Sequence, residues 1–461
     1  MKNRDINIRI LKILIPAILQ NALLCVSNMI LTAYIGRLAV AEISSYGLAN
    51  NIYNIYFDLF YGFAIGTMVI FAVAFGRKDY KLAARLQKTA VCTIIPMALI
   101  CTSVVVLFSK CFLSLMTSDA NLIEIASRYI RYSIFSYPLI SLVHINNAAF
   151  QANSDTKTPL FIAMTGNCFT IVVGYFVIGM FKLPGAAFVQ TLSNGMMFLT
   201  GTYFLYRKNG LLPRNIGRLT GKDFKQISSL LRVGIPSAIE NSFWSFAMVF
   251  VGAMILSYGQ NVYAAFQLGL QGETFCNMMS AGFLTASLSL SGNAIGSLDG
   301  DLFKLYYRQL SRICGVISII TMGYLAFFSE WTMTLLTDKP ELIAIGTQYL
   351  MAMIFSQYPA HKQKVLFGYL RSAGQIKETL VINAIGIWLV RVLFIVILGY
   401  MHADIIFIWW AFNADQWVRD LLAQLLFIKK NIINYVSKMK NKKRVEEMMT
   451  QSYKREMECQ I

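Results

Sequence analysis

A small set of ionisable side chains stands inside otherwise apolar stretches. The acids are Asp58, Glu240, Glu273, Asp415 and Asp420, and the bases are Lys362, Lys364, Arg391 and Arg419, with His144 and His361 beside them. A charge at the centre of a bilayer costs roughly 2.5–3.5 kcal/mol on the mildest scale, so such groups persist where they pair, bind or move an ion. Asp58 belongs to a pattern. Gly47, Asn51, Asn54, Asp58 and Tyr61 follow spacings of three and four, which stack them on one side of an α-helix. Amides on a spanning helix cannot face lipid. The stripe is therefore either helix–helix hydrogen bonding or the wall of a water-filled cavity that carries a titratable carboxylate. Gln267, Gln271, Thr274, Met278 and Thr285 form a second stripe of the same kind, with Met278 opposite Asp58 at an offset of 220 residues.

Glu240 lies one turn after Pro236, with Phe243, Trp244 and Ala247 on its face. Proline early in a span bends the helix and frees backbone carbonyls. A carboxylate amid aromatic rings is partly desolvated and so able to hold a proton, and rings beside an anion suit lipophilic cations. The alternative is a hydrated acid near the cytoplasmic end. Glu273, on a face with Asn277 and Ser280, is either a buried partner of Arg391 or Lys364 or a cavity group. Asp415 and Arg419, four residues apart, read as a local pair, and Lys362 and Lys364 read as snorkelling cations at a span end.

Enzyme chemistry finds no such constellation. The sequence has no GxxxxGK[ST], HExxH or GxSxG pattern and no paired His/Cys metal spacing. Free energy for work must then come from an existing gradient. One elementary charge crossing 100 mV supplies roughly 2.3 kcal/mol, enough for about a 50-fold solute gradient.

The elements that position these residues are membrane spans. Charged residues are 14% of the chain, against about 25% in soluble domains, and hydrophobic residues are 56%. Mean hydropathy is +0.55. Uncharged runs at 89–109, 160–181 and 183–206 are near the ~20 residues that cross a bilayer. Twelve spans are expected: 10–34, 43–75, 89–109, 125–151, 159–181 and 184–206, then 229–257, 263–295, 310–330, 341–370, 379–400 and 404–428. The basic N-terminus precedes an apolar run of full spanning length with no small-residue cleavage site, so it reads as the first span rather than a signal peptide.

The chain is also written twice. Ile15-Pro16 with Gln20-Asn21 recurs 220 residues later as Ile235-Pro236 with Glu240-Asn241. Gly76 and Asp79 recur as Gly296 and Asp299, Lys157 as Lys377, and Gly179 as Gly399. Two related bundles around a central cavity is a plan of secondary transporters. The expected fold is an all-α polytopic membrane protein of twelve transmembrane helices in two pseudo-symmetric six-helix bundles. The N-lobe is 1–206, a cytoplasmic connector 207–228, the C-lobe 229–428 and a basic cytoplasmic tail 429–461. With the N-terminus inside, lysine and arginine concentrate in cytoplasmic segments, so the net charge of +18 orients helices and does not signal nucleic acid. The eight cysteines lie mostly in spans and read as small apolar residues.

Several segments carry a family resemblance. YIGRLAVAEISSYGLAN (Tyr34 to Asn50) resembles the GRLG…A…GL signature of multidrug and toxic compound extrusion (MATE) transporters. FGRKDYKLA after the second span is similar to the family's G-A-G-D loop. FQANSDTKTP (Phe150 to Pro159) and YLRSAGQIKET (Tyr369 to Thr379) look like its R-G-x-G-D-T-K-x-P turn, and GIPSAIENSF (Gly234 to Phe243) resembles a seventh-helix pattern. The agreement covers residues 10–430. It implies a MATE-like exporter coupled to inward H⁺ or Na⁺ flow, within the multidrug/oligosaccharidyl-lipid/polysaccharide flippase superfamily. Many members carry an aspartate in helix 1 where this chain has Leu31, so Asp58 or Glu240 has to take that load. Glu240 matches the acidic variant of the helix-7 pattern, and Glu273 a recurrent acid of helix 8.

The resulting expectation is a non-enzymatic antiporter of the bacterial plasma membrane, multi-pass, with both termini cytoplasmic. It exports amphipathic, cationic drugs or metabolites in exchange for H⁺ or Na⁺. Glu240, Asp58 and Glu273 are the expected ion-coupling residues, with Asp58 or Glu240 as the place for Na⁺ and no cofactor or other metal. Gln20, Asn21, Asn51, Asn54, Asn241 and Gln271 are expected to line the cavity, where Phe243 and Trp244 contact substrate. The expected partners are the lipid bilayer and small-molecule substrates, not nucleic acid, and the chain is expected to be monomeric. Three alternatives stay open: a lipid-linked flippase, which needs a cationic cavity for pyrophosphate, a membrane-embedded enzyme, which needs a clustered catalytic set that the sequence does not display, and a non-transporting membrane sensor that has lost its ion site, as Leu31 allows.

Overall fold

The structure is a computed structural model that describes residues 3–117, 119–207, 210–213 and 221–441. Much of the expected connector at 207–228 and most of the expected tail at 429–461 lie outside the described residues. The described residues are helical, with no strand among them. Fifteen α-helices run in chain order: α1 (Asn3–Ile35), α2 (Val40–Gly76), α3 (Tyr80–Leu107), α4 (Ser109–Ser114), α5 (Ala120–Tyr132), α6 (Ser136–Ala152), α7 (Lys157–Tyr206), α8 (Gly221–Ser257), α9 (Gln260–Gly296), α10 (Gly300–Leu336), α11 (Pro340–Ala352), α12 (Gln357–Ser372), α13 (Ile376–Ala384), α14 (Leu393–Tyr400) and α15 (Ile405–Lys429).

The twelve expected spans map onto these helices with breaks that have chemical causes. Span four is α5 plus α6, and span ten is α11 plus α12. Each is interrupted four residues or so before a proline, Pro138 or Pro359, whose missing N–H releases the carbonyl one turn back. Spans five and six are the two arms of α7, which the non-helical backbone of Lys182 (φ 55°, ψ −136°) and the following Pro184 kink apart. A π-helical segment at Ile385–Val392 joins α13 to α14 and carries Arg391. Seven of the described helices are long and apolar enough to cross a membrane on their own. Helix α15 is not among them, since it carries Asp415, Arg419 and Asp420, all buried.

The duplication is visible in the turns. Left-handed residues that stop helices occur at Lys78 (φ 57°) and Leu298 (φ 55°), at Ser154 (φ 64°) and Gly374 (φ 84°), and at Lys182 (φ 55°) and His402 (φ 49°). Each pair is separated by the repeat distance. The caps repeat as well: Asp79 accepts from the Leu82 N–H at 2.9 Å and Asp299 from the Leu302 N–H at 2.9 Å, which starts α3 and α10.

The two halves meet closely at one end and part at the other. At Gly66 of α2 an added Cβ would lie 2.6 Å from the Val233 carbonyl oxygen, and at Gly76 and Gly296 it would strike the backbone of Asn293 and Val73. Glycine is the residue that permits this approach. Asn293 also donates to the Ala152 carbonyl at 3.0 Å and to Ser154 Oγ at 3.1 Å, tying α9 to the end of α6. At the far ends of α2 and α9, Gly47 faces open space, and Asn51, Asn54, Gln267 and Gln271 are exposed. Amides in that position belong in water, not lipid, so they mark a wet gap between the halves.

Candidate ion and substrate site

Where the gap closes, α1, α2, α6 and α7 surround a cavity of about 230 Å³ that α8 seals on one side. Its polar wall is built from Gln20 and Asn21 of α1, Asp58 and Tyr61 of α2, His144, Asn147 and Gln151 of α6, Asn167 of α7 and Asn241 of α8. Asp58 is the one acidic side chain on that wall and His144 the one basic side chain. The Ser245 hydroxyl of α8 donates to Asp58 Oδ2, so this carboxylate is held across the junction of the two halves.

The neutral groups are arranged to leave valences open. Asn21 donates to the Ala17 carbonyl at 2.8 Å and Asn241 to the Ser237 carbonyl at 2.9 Å, one turn back in each case. Their amide oxygens remain available as acceptors. Gln151 Nε2 donates to Gln20 Oε1 at 3.1 Å. His144 is edge-on to Phe57 (4.6 Å between centroids) and Tyr61 (5.4 Å). Its Nε2, Asn147 Oδ1 and Asn167 Nδ2 are buried without a protein partner among the described residues. The cavity thus presents a carboxylate, a ring nitrogen and amide donors and acceptors to whatever enters it.

The expected site residues separate into two groups. Gln20, Asn21, Asp58 and Asn241 lie on the cavity wall. Asn51, Asn54 and Gln271 are away from it, exposed along the gap. Glu240 corrects the expectation of an acid amid aromatic rings or in water. It is 4% exposed and enclosed by Arg371 Nη2 and Asn383 Nδ2, which donate to Oε1, and by Thr379 Oγ1, 3.4 Å from Oε2. The reason is tertiary: α13 packs against α8, and Arg371 reaches over from α12 to supply the cation that a buried carboxylate requires.

Phe243 and Trp244 are also placed differently from their expected substrate contacts in the cavity. Phe243 packs edge-on to Trp388 at 6.2 Å. Trp244 lies under the Arg391 guanidinium, 4.5 Å from its ring centroid, with Phe412 at 4.5 Å from the same guanidinium. Glu273 pairs with neither Arg391 nor Lys364; it accepts from the Tyr349 hydroxyl at 2.8 Å. Arg391 goes to Asp415 instead, at 2.6 Å, and Arg419 reaches Asp415 at 2.8 Å and Asn383 Oδ1 at 3.1 Å. The local Asp415–Arg419 pair is therefore one link of a buried chain from Arg391 to Arg371. Lys362 does not snorkel; it donates to Ser311 Oγ at 3.0 Å beneath the Tyr307 ring.

Sequence reasoning noted His144 only as an ionisable group inside an apolar stretch, and assigned no role to Ser245, Asn147, Asn167 and, above all, Arg371. The repeat held a signal for the last. Gln151 and Arg371 are equivalent positions, as are Gln20 and Glu240, so a Gln–Gln pair in one half maps onto a Glu–Arg pair in the other. No group of three or more His, Cys, Asp or Glu side chains able to hold a metal occurs among the described residues.

Comparison with known proteins agrees with this architecture. The MatE family model matches residues 16–176 and again 236–397, two matches that begin one repeat apart. The chain is 24% identical to the probable multidrug resistance protein NorM of Thermotoga maritima over 92% of both chains. It is 23% identical to the probable multidrug resistance protein YoeA of Bacillus subtilis, over 92% of this chain and 94% of that one. Among solved structures, an outward-facing multidrug resistance MATE transporter superposes with a TM-score of 0.83 at 18% identity, over 94% of this chain and 97% of that one. A transporter from Pyrococcus furiosus, described for the reverse polarity of its binding pocket, superposes with a TM-score of 0.84 at 18% identity, over 93% and 96%. With the family model covering both halves of a multi-pass helical membrane protein, the chain belongs to the MATE family of transporters.

Proposed function

We propose that this protein is an antiporter of the bacterial plasma membrane that exports amphipathic, cationic drugs or metabolites in exchange for H⁺ or Na⁺, with Asp58 as the coupling group. The observation that carries the reading is a lone carboxylate on the polar wall of a mostly apolar cavity, hydrogen-bonded across the halves by Ser245. An ionised Asp58 attracts either the cationic substrate or the coupling ion, and one carboxylate cannot serve both at once. Because its serine partner sits on α8, occupancy of Asp58 also biases how α2 and α8 sit together, which converts competition into a population shift. The cavity of about 230 Å³ is below the ~300–1,000 Å³ typical of drug sites. It takes the charged end of a substrate while the remainder extends into the gap beside Asn51, Asn54 and Gln271.

The multidrug names of the relatives support the substrate class, and basic Arg77, Lys78 and Lys81 at the closed end support a cytoplasmic location for that end. The test is efflux of a cationic dye from proteoliposomes under an imposed pH or Na⁺ gradient. Asp58→Asn is expected to abolish gradient-driven exchange while leaving binding of neutral analogues; unchanged driven transport would sink the assignment. A second reading, a flippase for anionic lipid, draws on the buried guanidiniums of Arg371, Arg391 and Arg419. None of these lines the cavity, and that reading predicts lipid translocation that survives Asp58→Asn.

A further inference from the structure

The Glu240–Arg371 pair is the second-half image of Gln20–Gln151. Each residue is one repeat from its counterpart, and each pair joins equivalent helices, α1 to α6 and α8 to α12. In the first half the pair is neutral and lines the cavity. In the second it is ionic and shut away, with Arg371 2% and Glu240 4% exposed.

The surroundings of Glu240 are already cationic. Arg371 and Lys364 approach from α12, and Arg419 from α15 through Asn383 of α13. Arg391 and Arg419 share the single carboxylate of Asp415. On the α2 side, Tyr61 lies within electrostatic reach of both Asp58 and Arg371. Of the other acids inside the helices of this half, Glu273 is engaged by Tyr349 and Asp420 by Gln424. A mobile cation could reach Glu240 only by displacing Arg371 or by adding positive charge to a cluster with more guanidiniums than carboxylates, in a medium that screens poorly.

We infer that Arg371 is a tethered cation that permanently fills the acidic position of the second half, so that ion exchange is confined to the first half and a single ion site operates per cycle. The inference goes beyond the antiport reading and rests on it only for the transport readout. The decisive variant is the double Glu240→Gln/Arg371→Gln, which copies the amide pair the first half already accommodates. Folding is checked by monodispersity and thermal melting in detergent.

The double variant is expected to keep the wild-type number of ions moved per substrate and the wild-type pH dependence, within about twofold. Arg371→Gln alone uncovers the carboxylate, and is expected to raise the ion-to-substrate ratio and to gain a melting temperature that depends on pH or on Na⁺. The wild type and the double variant lack that added dependence. A folded double variant without gradient-driven transport would overturn the inference, because Glu240 would then be coupling. So would a folded Arg371→Gln protein whose melting shows no new response to pH or Na⁺. The melting readout needs no substrate, so failure of the antiport reading leaves this test intact.

Discussion

Tyr129 sets its ring edge-on to Tyr46 at 5.6 Å and gives its hydroxyl to Gln190 at 3.1 Å. One repeat later Tyr349 sets its ring edge-on to Phe266 at 5.4 Å, but gives its hydroxyl to the carboxylate of Glu273 at 2.8 Å. The same difference recurs at other equivalent positions: Gln20 with Gln151 against Glu240 with Arg371, and His144 against Lys364. Asp58 against Met278 runs the other way. Backbone turns, caps and ring geometry are held in common, whereas buried charge is not. One helical frame accommodates a small cavity with one polar wall in the first half and a continuous ionic chain in the second. A fold of this kind thus fixes where side chains meet, and leaves polarity free to decide which half does the chemistry.

The sharpest way to break the comparison is to remove one partner from each equivalent pair. Arg371→Ala leaves a buried carboxylate without its cation and is expected to destabilise the protein by about 3–5 kcal/mol. Gln151→Ala removes a neutral bond beside a cavity and should cost about 1 kcal/mol. Chemical unfolding in detergent measures both, and equal losses would refute a charged second half set against a neutral first half. Next in size are the tyrosines. Tyr349→Phe removes a hydrogen bond to a charged group, worth about 1.5–3 kcal/mol, against about 1 kcal/mol for Tyr129→Phe. The smallest effect tests the shared frame itself. Asp79→Ala and Asp299→Ala each delete an N-cap and are expected to cost about 1 kcal/mol apiece. A difference between them well beyond that size would mean that the turns are alike in shape but not in burden.

Much of the fold was legible in the residues. The run of apolar segments marked the spans, and the recurrence of Gly76-x-x-Asp79 at Gly296-x-x-Asp299 marked equivalent turns. The interruptions of spans four and ten were less legible, since they depend on how Pro138 and Pro359 open one turn within otherwise continuous apolar helices. At the site, periodicity put Asp58 and Tyr61 on one face, and both lie on the cavity wall. It could not say that Asn51 and Asn54, on that same face, would lie past the point where the halves separate. Glu240 was misjudged for a different reason. Helical spacing displays the neighbours on its own helix, the rings of Phe243 and Trp244, but its partners Arg371, Thr379 and Asn383 come from helices far along the chain. His144 gave no pattern at all, because a single histidine on an apolar helix looks the same whether it fills a core or borders a cavity.

The bare contact at Gly66 also sets a lever ratio. Helix α2 has 37 residues, and at 1.5 Å per residue Gly47 stands roughly 28 Å beyond Gly66 while Asp58 stands only about 12 Å beyond it. A rigid rotation of about 15°, as in known subunit transitions, would carry the Gly47 end through ~7 Å and the Asp58 level through ~3 Å. With backbone against backbone at the pivot and the Phe63 ring wedged beside it on Gly234, little there can absorb the motion by changing rotamer. Small displacements at the aspartate–serine bridge are thus delivered, enlarged more than twofold, to the mouth of the gap.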